Sequence, residues 1–137
     1  MAEPKTILVV DDDMELSDGI RAMLENSGYK VMQARDGQQG QTMVHQHHPD
    51  LVILDMMMPR KGGYPVLEHF KGKTDAPPII MITANEGMRH KAYAEYLGVI
   101  DYIRKPFAME RLMEAVAKGL AGEPAAAPAK EKPAKEK

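Results

Sequence analysis

The chain has 137 residues and a formal net charge of −2 at pH 7, with 44% hydrophobic and 28% charged residues. Its length suits a single domain with a real core, and its composition is that of an ordinary soluble protein. The near-neutral charge offers no basic field to nucleic acid or an anionic membrane, and the absence of cysteine excludes disulfides, thiol catalysis and cysteine-bound metals. The N-terminus lacks the apolar core of a signal peptide and no apolar run reaches membrane-spanning length, so we expect a cytoplasmic protein.

Strand and helix patterns alternate along the chain. Five short apolar segments bounded by turn residues predict strands. These segments are residues 6–10, 29–34, 51–55, 78–83 and 101–104. Helical apolar spacing follows each strand, with capping or stop residues at its ends. It runs from Leu16 to the stop Gly28, from the cap Asp36 to His48, from the Gly62-Gly63 turn to Phe70, from the cap Asn85 to Leu97, and from Met109 to Leu120.

This alternation predicts an α/β fold with a five-stranded parallel sheet, right-handed crossovers and five helices divided between its two faces. Strands one, three and four are the most apolar and belong in the centre of the sheet, whereas strands two and five suit the edges. The resulting order is 2-1-3-4-5, that of the flavodoxin-like doubly wound sheet. Ligands of such sheets bind at the carboxyl ends of the strands, in the crevice between strands one and three.

The composition changes near the C-terminus. Residues 121–137 contain only Ala, Gly, Pro, Lys and Glu. Such a segment cannot bury enough apolar surface to offset the entropy lost when a chain is ordered. We therefore predict one folded domain over residues 1–120 and a disordered tail over 121–137, which is either a linker stub or a docking element.

Polar residues stand where the strands end. Asp11 and Asp12 follow the first strand, Asp55 ends the third, and Thr83 and Lys105 end the fourth and fifth. Carboxylates about 4 Å apart repel by roughly 4 kcal/mol per pair at an effective dielectric of 20, so either one takes a proton or a cation enters. An oxygen-rich site of this kind suits Mg²⁺. The alternative for each aspartate is a capping role in the next turn.

These strand ends carry a recognisable set of motifs. The set resembles the signature of response-regulator receiver domains, in order and spacing, over residues 5–120. It consists of Val9-Val10-Asp11-Asp12, Leu54-Asp55 with Met58-Pro59, Thr83-Ala84, and Lys105-Pro106-Phe107. That family is a standard example of the 2-1-3-4-5 order.

The resemblance implies a phosphoacceptor rather than an enzyme that acts on other substrates. Asp55 would take a phosphoryl group from a phosphohistidine on a partner histidine kinase or phosphotransfer protein. Asp11, Asp12, Asp55 and the backbone carbonyl of Met57 would hold Mg²⁺. Thr83 and Lys105 would contact the phosphoryl oxygens, and the peptide bond between Lys105 and Pro106 would be cis. Asp13 is expected only to cap the following helix.

The resemblance also implies a switch. Phosphorylation would draw Thr83 toward the site and let Tyr102 turn inward, which would change a protein-binding surface made by helix four, strand five and helix five. The alternative is that Tyr102 simply packs at the sheet edge. We expect a stand-alone regulator without a DNA-binding domain after residue 120. It would be a monomer or a phosphorylation-dependent homodimer.

Some positions depart from the commonest family pattern. Met57 and Asn85 flank the expected path of hydrolytic water, and a thioether cannot orient that water, so we predict moderate to slow self-dephosphorylation. Lys61-Gly62 replaces a pair that is usually apolar and acidic. Val99-Ile100 replaces a smaller and more acidic pair, which predicts an unusually apolar switching surface. A group of histidines, namely His45, His47 and His48, lacks the further ligands of a metal site.

Two other classes of protein remain open. Asp11-Asp12-Asp13 also fits the Asp-x-Asp motif of haloacid-dehalogenase-like phosphatases, in which Asp11 would be the nucleophile. Those enzymes expect Thr or Val where Met14 and Glu15 stand. A receiver that binds partners without phosphorylation is the other alternative, and the intact acid set argues against it.

Overall fold

The computed structural model describes residues 3–58, 61–84 and 88–122. Five strands alternate with five helices in this part of the chain. In order they are β1 Thr6–Val10, α1 Met14–Asn26, β2 Lys30–Ala34, α2 Gly37–His47, β3 Leu51–Asp55, α3 Gly63–Phe70, β4 Ile79–Thr83, α4 Met88–Tyr96, β5 Asp101–Arg104 and α5 Met109–Leu120.

The strands form one parallel sheet in the order β2-β1-β3-β4-β5. This confirms the predicted fold class and sheet order. Every residue of β3 and β4 is buried, whereas β2 buries only its last residue, Ala34. Apolar content therefore decides which strands lie in the centre, because a central strand of a covered sheet meets no water on either face.

Two hydrophobic cores lie on opposite faces of the sheet. Helices α1 and α5 cover one face and α2, α3 and α4 cover the other. Successive side chains of a strand point to opposite faces. In β3, Leu51 and Ile53 therefore enter the core under α1 and α5, while Val52 and Leu54 enter the core under the other three helices.

Most of the predicted helix ends match. The Asp13 side chain accepts a hydrogen bond from the Leu16 N–H (3.1 Å), and Gly28 follows α1 with a φ of +98°. Asp36 accepts from the Gln39 N–H (2.8 Å) at the start of α2. The predicted cap Asn85 and most of the predicted tail (123–137) lie outside the described residues. Among the described helices, none has the length and hydropathy needed to cross a bilayer.

Gly63 sets the position of α3 against the end of β3. A Cβ atom at Gly63 would lie 2.7 Å from the Met81 Cε, 2.8 Å from the Asp55 carbonyl oxygen and 2.9 Å from the Met56 Cα. The Gly63 N–H also donates to the Met56 carbonyl (2.9 Å). Because two of those neighbours are backbone atoms, only glycine allows α3 to begin this close to Asp55.

Gly63→Ala should therefore destabilise the fold, by about 1–3 kcal/mol, as overpacking of a close-packed site does. Gly19→Ala is the matched control. Gly19 is exposed within α1, and a Cβ there would meet only the Met109 Cε, at 3.9 Å. This control should gain about 0.5–1 kcal/mol from helix propensity. Urea unfolding of the two variants measures both effects. Equal effects of the same sign would show that the short distances around Gly63 do not require glycine there.

Candidate functional site

The five residues predicted at strand ends lie at one edge of the sheet. Asp11 and Asp12 come directly after β1, Asp55 ends β3, Thr83 ends β4 and Lys105 follows β5. The carboxyl ends of parallel strands share an edge, so the fold itself brings these residues together.

Three carboxylates meet there. Asp11 is fully buried, Asp55 is 3% exposed and Asp12 is exposed. One carboxylate oxygen from each lies within 4.8 Å of the others. Backbone contacts fix Asp11 in particular, because its N–H donates to the Ala34 carbonyl (3.0 Å) and its Oδ1 accepts from the Asp13 N–H (2.9 Å). The rim is thus a compact acid cluster with one side open to water.

Lys105 brings a cation to the buried pair of acids. Its Nζ lies 3.2 Å from Asp11 Oδ2 and 3.5 Å from Asp55 Oδ1. Its backbone N–H donates to the Thr83 carbonyl (2.7 Å), and its peptide bond to Pro106 is cis, as the resemblance implied. Burial alone would lower the pKa of Lys105, but Asp11 and Asp55 outweigh it and raise the pKa above its ordinary value.

Asp55 is the acid whose ionisation is most disfavoured. Burial first, and then repulsion by Asp11, raise the pKa of Asp55 from 3.8 to about 7. Attraction to Lys105 and a hydrogen bond from the Met57 N–H lower it in part. A single ammonium does not compensate two buried carboxylates, so the site favours a further positive charge.

The donor set fits Mg²⁺. Hard oxygen ligands from few carboxylates, with positions left for water, suit this ion, and the open side at Asp12 provides such positions. Within residues 3–58, 61–84 and 88–122, the acid cluster is the only group of three or more imidazole or carboxyl side chains close enough to hold an ion. Asp11, Asp12 and Asp55 would be its side-chain ligands.

Thr83 and Tyr102 lie side by side behind the acids. Thr83 is fully buried, and Tyr102 is 9% exposed and turned inward. The Tyr102 hydroxyl is buried without a well-formed hydrogen bond to any described residue. Burial raises the pKa of Tyr102, and the neighbouring Thr83 side chain offsets part of that rise.

The positions that depart from the family pattern have defined surroundings. Met57 is 61% exposed, and it is the only exposed large hydrophobic residue among those that the structure describes. Lys61 ties the loop after β3 to α2, since its carbonyl accepts from the Gly37 N–H (2.8 Å) and its Nζ donates to Gln41 (2.5 Å). Sequence reasoning missed this contact, because nothing in the pattern pairs a loop lysine with a helix 20 residues away.

The prediction of an unusually apolar switching surface at Val99-Ile100 is wrong. Val99 is buried in the core under α2, α3 and α4. Ile100 packs against the other core, where a Cβ at Gly119 would collide with it. Val99 is therefore interior and Ile100 is partly buried, so the two do not form an exposed apolar patch.

Comparisons with known proteins agree on one family. The sequence model described as "Response regulator receiver domain" matches residues 7–117. A protein named Response regulator MprA from Mycolicibacterium vanbaalenii is 37% identical over 110 residues, which are 80% of this chain and 48% of that protein. Its namesake from Mycobacterium tuberculosis is 38% identical over 107 residues, 78% of this chain and 46% of that one. The chain thus spans about half the length of these curated relatives.

Solved structures resemble the chain over most of its length. A putative response regulator from Chloroflexus aurantiacus superposes with a TM-score of 0.80 at 30% identity, over 86% of this chain and 98% of that one. A CheY-like receiver domain protein from Methanospirillum hungatei gives a TM-score of 0.82 at 27% identity, over 87% of this chain and 95% of that one.

The raised pKa of Asp55 predicts the pH dependence of stability. Between pH 3.8 and about 7 the folded chain retains a proton on Asp55 that the unfolded chain has lost. The free energy of unfolding of the metal-free protein should therefore fall as the pH rises through this window. Asp55→Asn should flatten the profile and raise the free energy of unfolding at neutral pH by up to a few kcal/mol.

Urea unfolding at a series of pH values measures this dependence. Asp75→Asn, at an exposed aspartate outside the acid cluster, is the matched control and should leave the slope unchanged. Excess Mg²⁺ should reduce the wild-type slope, because a dication favours ionised carboxylates. A wild-type profile that rises with pH across the window would contradict the interpretation of the site.

Proposed function

This chain belongs to the response-regulator receiver family, and from that premise we propose that it accepts a phosphoryl group on Asp55 from a phosphohistidine of a partner kinase or phosphotransfer protein. The observation that carries the proposal is the set of charges around Asp55. A carboxylate on a central strand faces two more acids and one ammonium at the open rim of the sheet. A capping role for Asp55 would not require this arrangement of charges.

The proposed transfer is an in-line displacement at phosphorus. A carboxylate oxygen of Asp55 forms the new O–P bond while the N–P bond of the donor phosphohistidine breaks and its imidazole leaves with the electron pair. Phosphoryl transfer depends mainly on positioning and electrostatics. In this proposal Lys105 neutralises charge on the phosphoryl oxygens, and Thr83 donates a hydrogen bond to one of them.

The acid cluster would hold the metal for this step. Asp11, Asp12, Asp55 and the Met57 carbonyl are the proposed protein ligands. Mg²⁺ held there would supply positive charge that favours the ionised form of Asp55 and offsets charge on the transferred group. Lys105 supports the same ionisation from the protein side, since it lies within 3.5 Å of both buried acids. Nucleophilic attack requires the deprotonated carboxylate, so Mg²⁺ and Lys105 would both favour the reactive form of Asp55.

The proposed output is a change of the surface formed by α4, β5 and α5, read by a downstream protein or by a second copy of the chain. Arg111 of α5 holds Asp101 of β5 by two hydrogen bonds of 2.7 and 2.8 Å, which joins these two elements. Tyr102 follows Asp101 in sequence and lies beside Thr83. A shift of Thr83 toward a phosphoryl group would alter the surroundings of the Tyr102 ring.

Acetyl phosphate with Mg²⁺ should add one phosphoryl group to Asp55, located by peptide mass spectrometry. Asp55→Asn should abolish the adduct, and the exposed control Asp75→Asn should not. Turnover through Asp11 would instead indicate the phosphatase alternative. The absence of an adduct with both acetyl phosphate and a phosphorylated histidine kinase would favour a receiver that works without phosphorylation.

Met57→Asn should speed hydrolysis of the aspartyl phosphate, because an amide at this exposed position can orient a water molecule that a thioether cannot. Loss of the phosphorylated form, followed by mass spectrometry after removal of the donor, measures the rate. Met57→Leu is the matched control and should leave the rate near the wild-type value. An unchanged rate in Met57→Asn would show that position 57 does not limit hydrolysis. Asn85, the other predicted flank of the water path, lies outside the described residues.

Beryllofluoride with Mg²⁺ should shift the NMR signals of the Tyr102 ring and of the Thr83 methyl group, because both groups lie behind the phosphorylation site. Tyr29, which packs against the opposite core, is the internal control. Shifts confined to the acid cluster would mean that Tyr102 only packs at the sheet edge and does not report phosphorylation.

A further inference from the structure

A pair of hydrogen-bonded histidines lies away from the acid cluster, between α2 and α3. The Nε2 atoms of His45 in α2 and His69 in α3 are 2.9 Å apart. The ring centroids are 5.1 Å apart, and the ring planes are nearly perpendicular at 87°. His45 is exposed and His69 half-exposed, so the two nitrogens face one another at the surface.

The sequence offered His45 no partner of this kind. His48 does not join it, because it ends α2 in the left-handed conformation with a φ of +50°. The partner comes instead from α3, 24 residues along the chain. The Phe70 ring packs against both imidazoles. Its centroid lies 5.4 Å from that of His45 and 4.7 Å from that of His69.

We propose that His45 and His69 form a binding site for a late first-row divalent cation of the Zn²⁺, Ni²⁺ and Cu²⁺ class. Imidazole nitrogen is the ligand that this class prefers among the side chains present, whereas Mg²⁺ prefers oxygen. Two nitrogens bound at about 2.0–2.1 Å are about 2.9 Å apart at a right angle and about 3.3 Å apart at the tetrahedral angle. The observed 2.9 Å is the length of a hydrogen bond between the two rings, so a bound ion would replace that hydrogen bond after rotation of the side chains.

The local charges also bear on the site. Partial burial first, and then Lys73, His45 and Lys61, lower the pKa of His69, which favours the neutral form of its ring. Neutral imidazole is the form that binds metal. The two histidines already present their nitrogens to one another, so little side-chain freedom remains to be lost on binding.

Lys73 opposes the ion. Its Nζ lies 3.3 Å from the His69 Nε2, in the turn that follows α3. An ammonium at this distance repels a dication and competes for the same lone pair. The site as built therefore binds only moderately, with water in its remaining positions. Removing the Lys73 charge should tighten it, an effect that a purely structural histidine pair would not show.

Calorimetric titration of the full chain with Zn²⁺, in excess Mg²⁺ to fill the acid cluster, tests the proposal. We expect one Zn²⁺ per chain at this site. His45→Gln and His69→Gln should each weaken binding by at least about tenfold, since losing a direct ligand costs more than losing a group that only orients one. Lys73→Gln should bind several-fold more tightly than the wild type.

His47→Gln is the matched control, because His47 lies exposed at the end of the same helix and should leave the affinity unchanged. Asp55→Asn should also leave it unchanged, which separates this site from the proposed phosphorylation. Circular dichroism confirms that each variant is folded, and the wild-type imidazole NMR signals of His45 and His69 should shift together during the titration. The proposal is overturned if the wild type binds no Zn²⁺, or if His45→Gln and His69→Gln bind as the wild type does.

Discussion

The contact on which the rest of the site depends is that of the Lys105 ammonium with Asp11 and Asp55. Two buried carboxylates side by side repel each other and are poorly solvated, and one cation at 3.2 and 3.5 Å offsets only part of that cost. The protein therefore holds an acid with a pKa of about 7 at the end of a central strand. Such a group responds strongly to any added charge, positive or negative.

The fold delivers these groups without any local motif that joins them. Asp11, Asp55, Thr83 and Lys105 come from four separate segments, and the parallel arrangement alone places their strand ends at one edge. Gly63 then allows α3 to begin against the Asp55 carbonyl. Repulsion between the carboxylates destabilises this edge of the sheet, and the packing of the two hydrophobic cores offsets that cost.

Much of this arrangement could be predicted from the sequence, because strand burial and strand-end polarity both follow from short-range patterns. The sheet order and the meeting of Asp11, Asp55 and Lys105 belong to that class, although knowledge of the family supports the order. Contacts between helices cannot be predicted from such short-range patterns. The approach of His45 to His69 depends on how α2 and α3 are rotated about their axes, and α2 has few apolar residues to fix its rotation in a pattern. The burial of Val99 was misjudged for a related reason, since a residue between a helix and a strand has no periodicity to assign its direction.

The alternation of side chains along β3 has a mechanical consequence. Leu51 and Ile53 are embedded in one core and Val52 and Leu54 in the other, with Asp55 at the tip of the same five-residue strand. Close-packed interiors transmit displacement because they contain little free volume to absorb it. Because β3 is packed into both cores, a displacement at its carboxyl end would be transmitted to the helices on both faces of the sheet.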